Sequence, residues 1–142
     1  MREAIADTGA LVALLDRSDQ YHEWAIECFK AIRAPVITCE PVLAETWHLL
    51  GAVSPSRQTL AELHQDGIIR VEFEFERQSA SIWQLLEKYR DIPMDLADAC
   101  VVRLSELFVD RLVWTVDSDF KFYRRNKRAS IPLMAPWQPS TI

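Results

Sequence analysis

EAIADTGALVALLD, residues 3–16, changes periodicity across a single aspartate. Residues 3–7 form a short apolar run closed by Asp7, which is the pattern of a buried strand. The apolar spacing of ALVALLD that follows is that of a helix. A strand feeding directly into a helix is the repeating unit of an α/β protein, so the rest of the chain should alternate in the same way.

It does. From about Gln20 to Ile32, residues Tyr21, Trp24, Ala25, Cys28 and Phe29 share one helical face. Pro35 opens a second strand, PVIT, and Pro41 suits the first turn of a helix running to about Leu50. SPSRQTLAELHQDG reads as a helix stopped by Gly67, and IIRVEF as the third strand. ERQSASIWQLLEKYR and the segment from Asp95 to about Phe108 are helical. RLVWTV and IPLMAP are two more short apolar strands rich in β-branched residues. Strands that alternate with helices need crossover connections. The expected fold is therefore a three-layer α/β/α sandwich around a central, mainly parallel five-stranded sheet. No internal repeat or long linker interrupts it; GAVSPS at 51–56 is the one loop-like composition, and residues 1–142 are expected to form a single domain.

At 142 residues such a domain can bury roughly 70% of the surface its unfolded chain exposes, and needs no covalent staples. Cys28, Cys39 and Cys100 form no CxxC pair and lie in apolar contexts, as expected of reduced, buried thiols in a cytosolic protein. The longest apolar run, ALVALL at 10–15, is too short to cross a bilayer, and Asp7 breaks any signal-peptide core. The expected location is the cytoplasm, with no membrane partner. A net charge of −5 ordinarily argues against a polyanionic partner. Its distribution does not, because KFYRRNKR at 121–128 is densely basic. That stretch is either a solvated helix end and loop or a face for nucleic acid.

Several of the 21 acidic residues fall where this fold would bring them together. Asp7 and Asp117 close strands, and ligands of open parallel sheets gather beyond the carboxyl ends of the strands. Glu45, in PVLAETWHLL, shares a helix face with Val42 and Leu49 that is otherwise apolar. Asp95 can cap the helix that follows Pro93, with Asp98 near its third position and one turn before Val101 and Val102. In TVDSDF, Asp117 and Asp119 can face one pocket if the chain turns between them, and Thr8 and Thr115 can hold neighbouring carboxylates through their hydroxyls. Converging carboxylates destabilise one another unless a cation or protons neutralise them. Hard oxygen ligands, with His22, His48 and His64 too scattered for a zinc cluster, select Mg²⁺ with Mn²⁺ as substitute. The Glu-x-x-His spacing of ETWH at 45–48 lacks the second copy that a di-iron bundle needs.

These residues resemble the PIN-domain family and, within it, the VapC-type toxin ribonucleases of type II toxin–antitoxin pairs. IADTGALVALLD resembles the family's opening strand and helix, AETWHLL its glutamate motif, MDLADACVVRLSE its third acidic motif, and TVDSDFKFYR its fourth. By position the resemblance implies Asp7, Glu45, Asp98 and Asp117 as catalytic acids. It implies Asp7, Asp98, Asp117 and Asp119 as metal ligands, with Thr8 as the hydroxyl residue after the first aspartate; Thr115 joins as an accessory from its place beside Asp117, and Asp95 as one that stands where many members have a serine or another small polar residue. It further implies Mg²⁺-dependent hydrolysis of RNA, leaving a 5′-phosphate and a 3′-hydroxyl, together with a cognate antitoxin and a homodimer. Arg124, Arg125, Lys127 and Arg128 would guide the RNA backbone, Phe122 or Tyr123 would stack a base, and Trp24, Trp47, Trp83 and Trp137 are available to an interface. Three other classes compete: a stand-alone PIN nuclease in RNA processing, a PIN-fold binding module without turnover, and a receiver-type signalling domain. The receiver fits poorly, because it wants an acceptor aspartate after the third strand, where this chain has Phe73 and Glu74.

Overall fold

A computed structural model describes residues 1–52 and 55–139. β1 (Ala4–Ala6) runs into α1 (Thr8–Leu15), followed by α2 (His22–Ala31), β2 (Val36–Thr38) and α3 (Glu40–Leu50). Then come α4 (Ser56–Gln65), β3 (Ile69–Val71), α5 (Phe75–Lys88), α6 (Leu96–Leu107) and β4 (Leu112–Trp114). A 3-10 turn over Ser118–Lys121 leads to β5 (Arg124–Arg125), β6 (Ala129–Ser130) and β7 (Leu133–Met134). Residues 53 and 54 of the expected 51–56 loop lie outside the described residues.

Strand order is β3-β2-β1-β4-β7, and all four pairings are parallel. Every residue of β1, β2 and β4 is buried, as a sheet covered on both faces requires. That is why AIA, VIT and LVW read as continuous apolar runs rather than alternating ones. α6 packs on β1 and β4, α5 packs on α6, and α1 packs against α2 and α3. Ile5, Leu11, Ile37, Ile69, Leu104 and Trp114 are core side chains, and the three cysteines are buried among them.

The order places a switch point between β1 and β4: the chain builds outward through β2 and β3, then returns to pair β4 on the other edge of β1. Register aligns Ala6 with Trp114, so the residues just beyond them, Asp7 and Thr115, are neighbours. Gly9 lets this happen. A Cβ there would sit 2.4 Å from Val116 Cγ2, so α1 can begin against the end of β4 only without a side chain at that position. Gly67, at φ +75°, ends α4 as expected.

Candidate active site

Asp7 precedes α1 and its Oδ2 accepts the Thr115 hydroxyl at 2.7 Å; Thr115 Oγ1 in turn accepts the Asp117 amide at 2.9 Å. The switch point thus knits the ends of β1 and β4 through one buried threonine. Asp117 Oδ1 accepts the Asp119 amide at 2.9 Å, opening the 3-10 turn. Glu45 reaches in from α3, where its Oε1 accepts the Thr8 hydroxyl at 2.8 Å. Asp98 lies in the first turn of α6, in a reciprocal capping box with Asp95. Its Oδ2 takes two donors, the Asp95 amide at 3.2 Å and the Tyr123 hydroxyl at 3.3 Å.

Each of the four acids is held by at least one hydrogen bond from the residues around it. Electrostatics agree with a shared pocket. Burial pushes Asp7 up from 3.8 to about 7, against the opposing Thr115 hydroxyl and Thr8 amide, and the charges of Asp117 and Asp95 add to the rise. Asp98 is pushed up to about 8 by burial first, then by Asp95, Asp7 and Asp117. Glu45 and Asp117 are raised as well, each chiefly by burial. Without a cation, Asp7 and Asp98 therefore hold protons near neutral pH.

Asp95 has a larger part than that of a helix cap. Its charge bears on Asp7, Glu45, Asp98 and Asp117 alike, which places it at the mouth of the group. Asp119 is at one side, its charge bearing on Asp117 and on Tyr123. The donor chemistry, hard oxygens throughout, suits Mg²⁺ or Mn²⁺. Among the described residues, though, no three Asp, Glu, His or Cys side chains stand close enough to grip one ion. The threonines hold Asp7 and Glu45 to the walls, so gathering the carboxylates requires side-chain rotation.

Two expected features are placed differently. Leu49 is 60% exposed while Val42 is fully buried, so the α3 face that carries Glu45 is a boundary rather than an apolar stripe. The basic segment starts at Lys121, the end of the 3-10 turn, and continues into an antiparallel hairpin of β5 and β6 rather than an open loop. The guanidinium of Arg124 donates to the carbonyls of Lys121 and Tyr123, and that of Arg125 to those of Ser105 and Val109. Both arginines are thereby fastened to backbone, whereas Lys127 and Arg128 are exposed at the hairpin tip. Phe122 is 61% exposed and Tyr123 fully buried, its ring between Tyr89 and Phe120 at centroid distances of 5.2 and 5.1 Å. Tyr123 is thus a support for Asp98, a role that no local pattern in KFYRR announces.

An α/β fold that brings carboxylates from several elements beyond the strand ends at its switch point defines a class of acid-site α/β folds. More particularly, the PIN domain model matches residues 4–126, and the chain belongs to the PIN-domain family. A similar solved structure is that of VapC20 from Mycobacterium tuberculosis, described as a toxin that cleaves the sarcin-ricin loop. It is 22% identical, with a TM-score of 0.74 over 82% of this chain and 92% of that one, a likeness of fold. No curated protein is similar enough to this chain to count as a match. Among the described residues no helix is long and apolar enough to cross a membrane.

Proposed function

We propose that this protein is a metal-dependent endoribonuclease and the toxin of a type II toxin–antitoxin pair. The observation that supports the reading is that the charges of Asp7, Asp98 and Asp117 bear on one another, with Glu45 tied to Thr8 beside Asp7, in a chain of the PIN family. A divalent ion bound there would lower the pKa of a water and offset charge on the phosphate oxygens. Thr115 and the Asp119 amide orient Asp7 and Asp117, while Tyr123 and Asp95 orient Asp98. Glu45, more open than Asp7 or Asp98 and raised in its affinity for protons, would accept one as water attacks. Carboxylates gathered around an ion in this way would contribute position rather than covalent chemistry.

The same acidic hollow attracts a guanidinium as readily as a cation, so an arginine of an antitoxin would block it. Exposed Trp47, Leu49 and Trp83 offer apolar contact to that partner or to a second copy of the chain. A PIN-fold binding module without turnover is the competing reading, and it draws on the acids' not yet being gathered around one point. A labelled RNA pool incubated with protein in Mg²⁺, Mn²⁺ or EDTA, beside Asp7→Asn and Asp98→Asn, separates the two. Cleavage that needs the metal and both acids supports the nuclease. RNA bound but uncut supports the binding module, and cleavage that survives chelation removes the proposed chemistry.

A further inference from the structure

Away from the acids, α5, α6 and the β5–β6 hairpin enclose a cleft of about 320 Å³ lined by Ser81, Gln84, Lys88, Arg103, Glu106 and Lys127 among others. Its carboxylate is fully engaged: Glu106 Oε1 accepts from Arg103 Nη1 at 3.0 Å and Oε2 from the Asn126 amide at 2.6 Å. Arg103 and Glu106 cancel, which leaves the two lysines to set the sign of the cleft. Lys88 donates one N–H to the Lys127 carbonyl at 2.9 Å and keeps two for a ligand. Neither lysine has a carboxylate partner among the described residues.

The hairpin tip supplies a second observation. Asn126 and Lys127 stand at φ +50° and +73°, a turn whose second position is ordinarily glycine. Asparagine tolerates this conformation; a lysine there costs roughly 1–2 kcal/mol. The chain keeps a cation where a smaller residue would stabilise the turn. Position supplies a third. Tyr123 touches Asp98 at the start of α6, and Asn126 meets Glu106 eight residues on, so the cleft lies about 12 Å along the helix from the acids. One strand of RNA can span both.

We infer that this cleft is a phosphate-binding subsite holding the RNA backbone beside the reacting position, with Lys127 and Lys88 supplying the charge. The inference rests on the ribonuclease reading for its ligand, and it replaces Arg124 and Arg125, which are fastened to carbonyls, as the main guides. The test is fluorescence anisotropy of a labelled single-stranded RNA with the full chain, in EDTA so that nothing is cut, across a salt series. Each lysine–phosphate contact adds about 0.7 to the slope of log K against log salt on a single strand. Lys88→Ala with Lys127→Ala should lower the slope by about 1.4 and weaken binding about 25-fold at 0.1 M salt. Lys127→Gly should lose about fivefold in affinity while its melting temperature rises, a combination that a merely structural lysine does not give. Arg33→Ala, which does not line the cleft, serves as control. Unchanged slopes in both variants, or no RNA binding by the natural chain, would overturn the subsite. Slopes that fall while the natural chain cuts no RNA in Mg²⁺ would keep the cleft and remove the nuclease instead.

Discussion

Asp7→Asn tests the strain in the acid cluster without reference to any substrate. Asp7 is 4% exposed and pushed up from 3.8 to about 7, chiefly by burial. Below pH 4 the folded and unfolded chains both carry its proton. Between pH 4 and about 7 the folded chain keeps it and the unfolded chain releases it, so stability falls as pH rises through this window. Above about 7 the cost is fully expressed. At about 1.36 kcal/mol per pH unit the gap corresponds to ~4 kcal/mol at most. Asparagine keeps the shape and can still accept the Thr115 hydroxyl, but carries no charge. In EDTA at pH 8.5 the variant should therefore melt above the natural chain, by roughly 8–16 °C if the whole difference is realised. The advantage should vanish near pH 4. With millimolar Mg²⁺ the order should narrow or invert, because an ion that binds only the folded, charged site stabilises the natural chain alone. Thermal melts at three pH values, with and without Mg²⁺, measure all of this. A variant no more stable than the natural chain at pH 8.5, or an advantage independent of pH, would refute the argument.

Three further outcomes are expected. Tyr123→Phe removes one of the two donors on Asp98 Oδ2 while leaving the aromatic packing, so the Mg²⁺ concentration that raises the melting temperature should increase at least tenfold, with little change in the metal-free melt. Gly9→Ala drives a methyl into Val116 and should cost about 1–3 kcal/mol, read as a lower melting temperature that Val116→Ala partly restores. Arg125→Ala should lower stability by freeing the carbonyls of Ser105 and Val109, yet leave the salt slope of RNA binding unchanged in anisotropy.

What could be read from the chain was whatever depends on local pattern. AIA, VIT and LVW announce buried parallel strands because both faces are covered, Gly67 marks its helix end, and D-x-x-D at 95–98 is visible as a cap. Asp7 and Asp117 could be set at strand ends, but their adjacency depends on strand order, with β4 returning to β1. What escaped depends on tertiary contact. The hairpin at 124–130 turns on Asn126 and Lys127 without the glycine that would have signalled it. Arg124 and Arg125 look like solvent-facing charges and instead hold backbone oxygens. Tyr123, one of two aromatics offered as a base stacker, is buried under Asp98. Asp95 reads as a cap, and only the folded chain turns its charge on four other acids.

Soaking crystals of the protein with Mn²⁺ and collecting at the manganese edge asks directly whether these acids form one cation site. The expected result is an anomalous peak among the carboxylates of Asp7, Asp98 and Asp117, lost in Asp98→Asn. Manganese bound elsewhere, or no peak at that position at 10 mM or so, would contradict it.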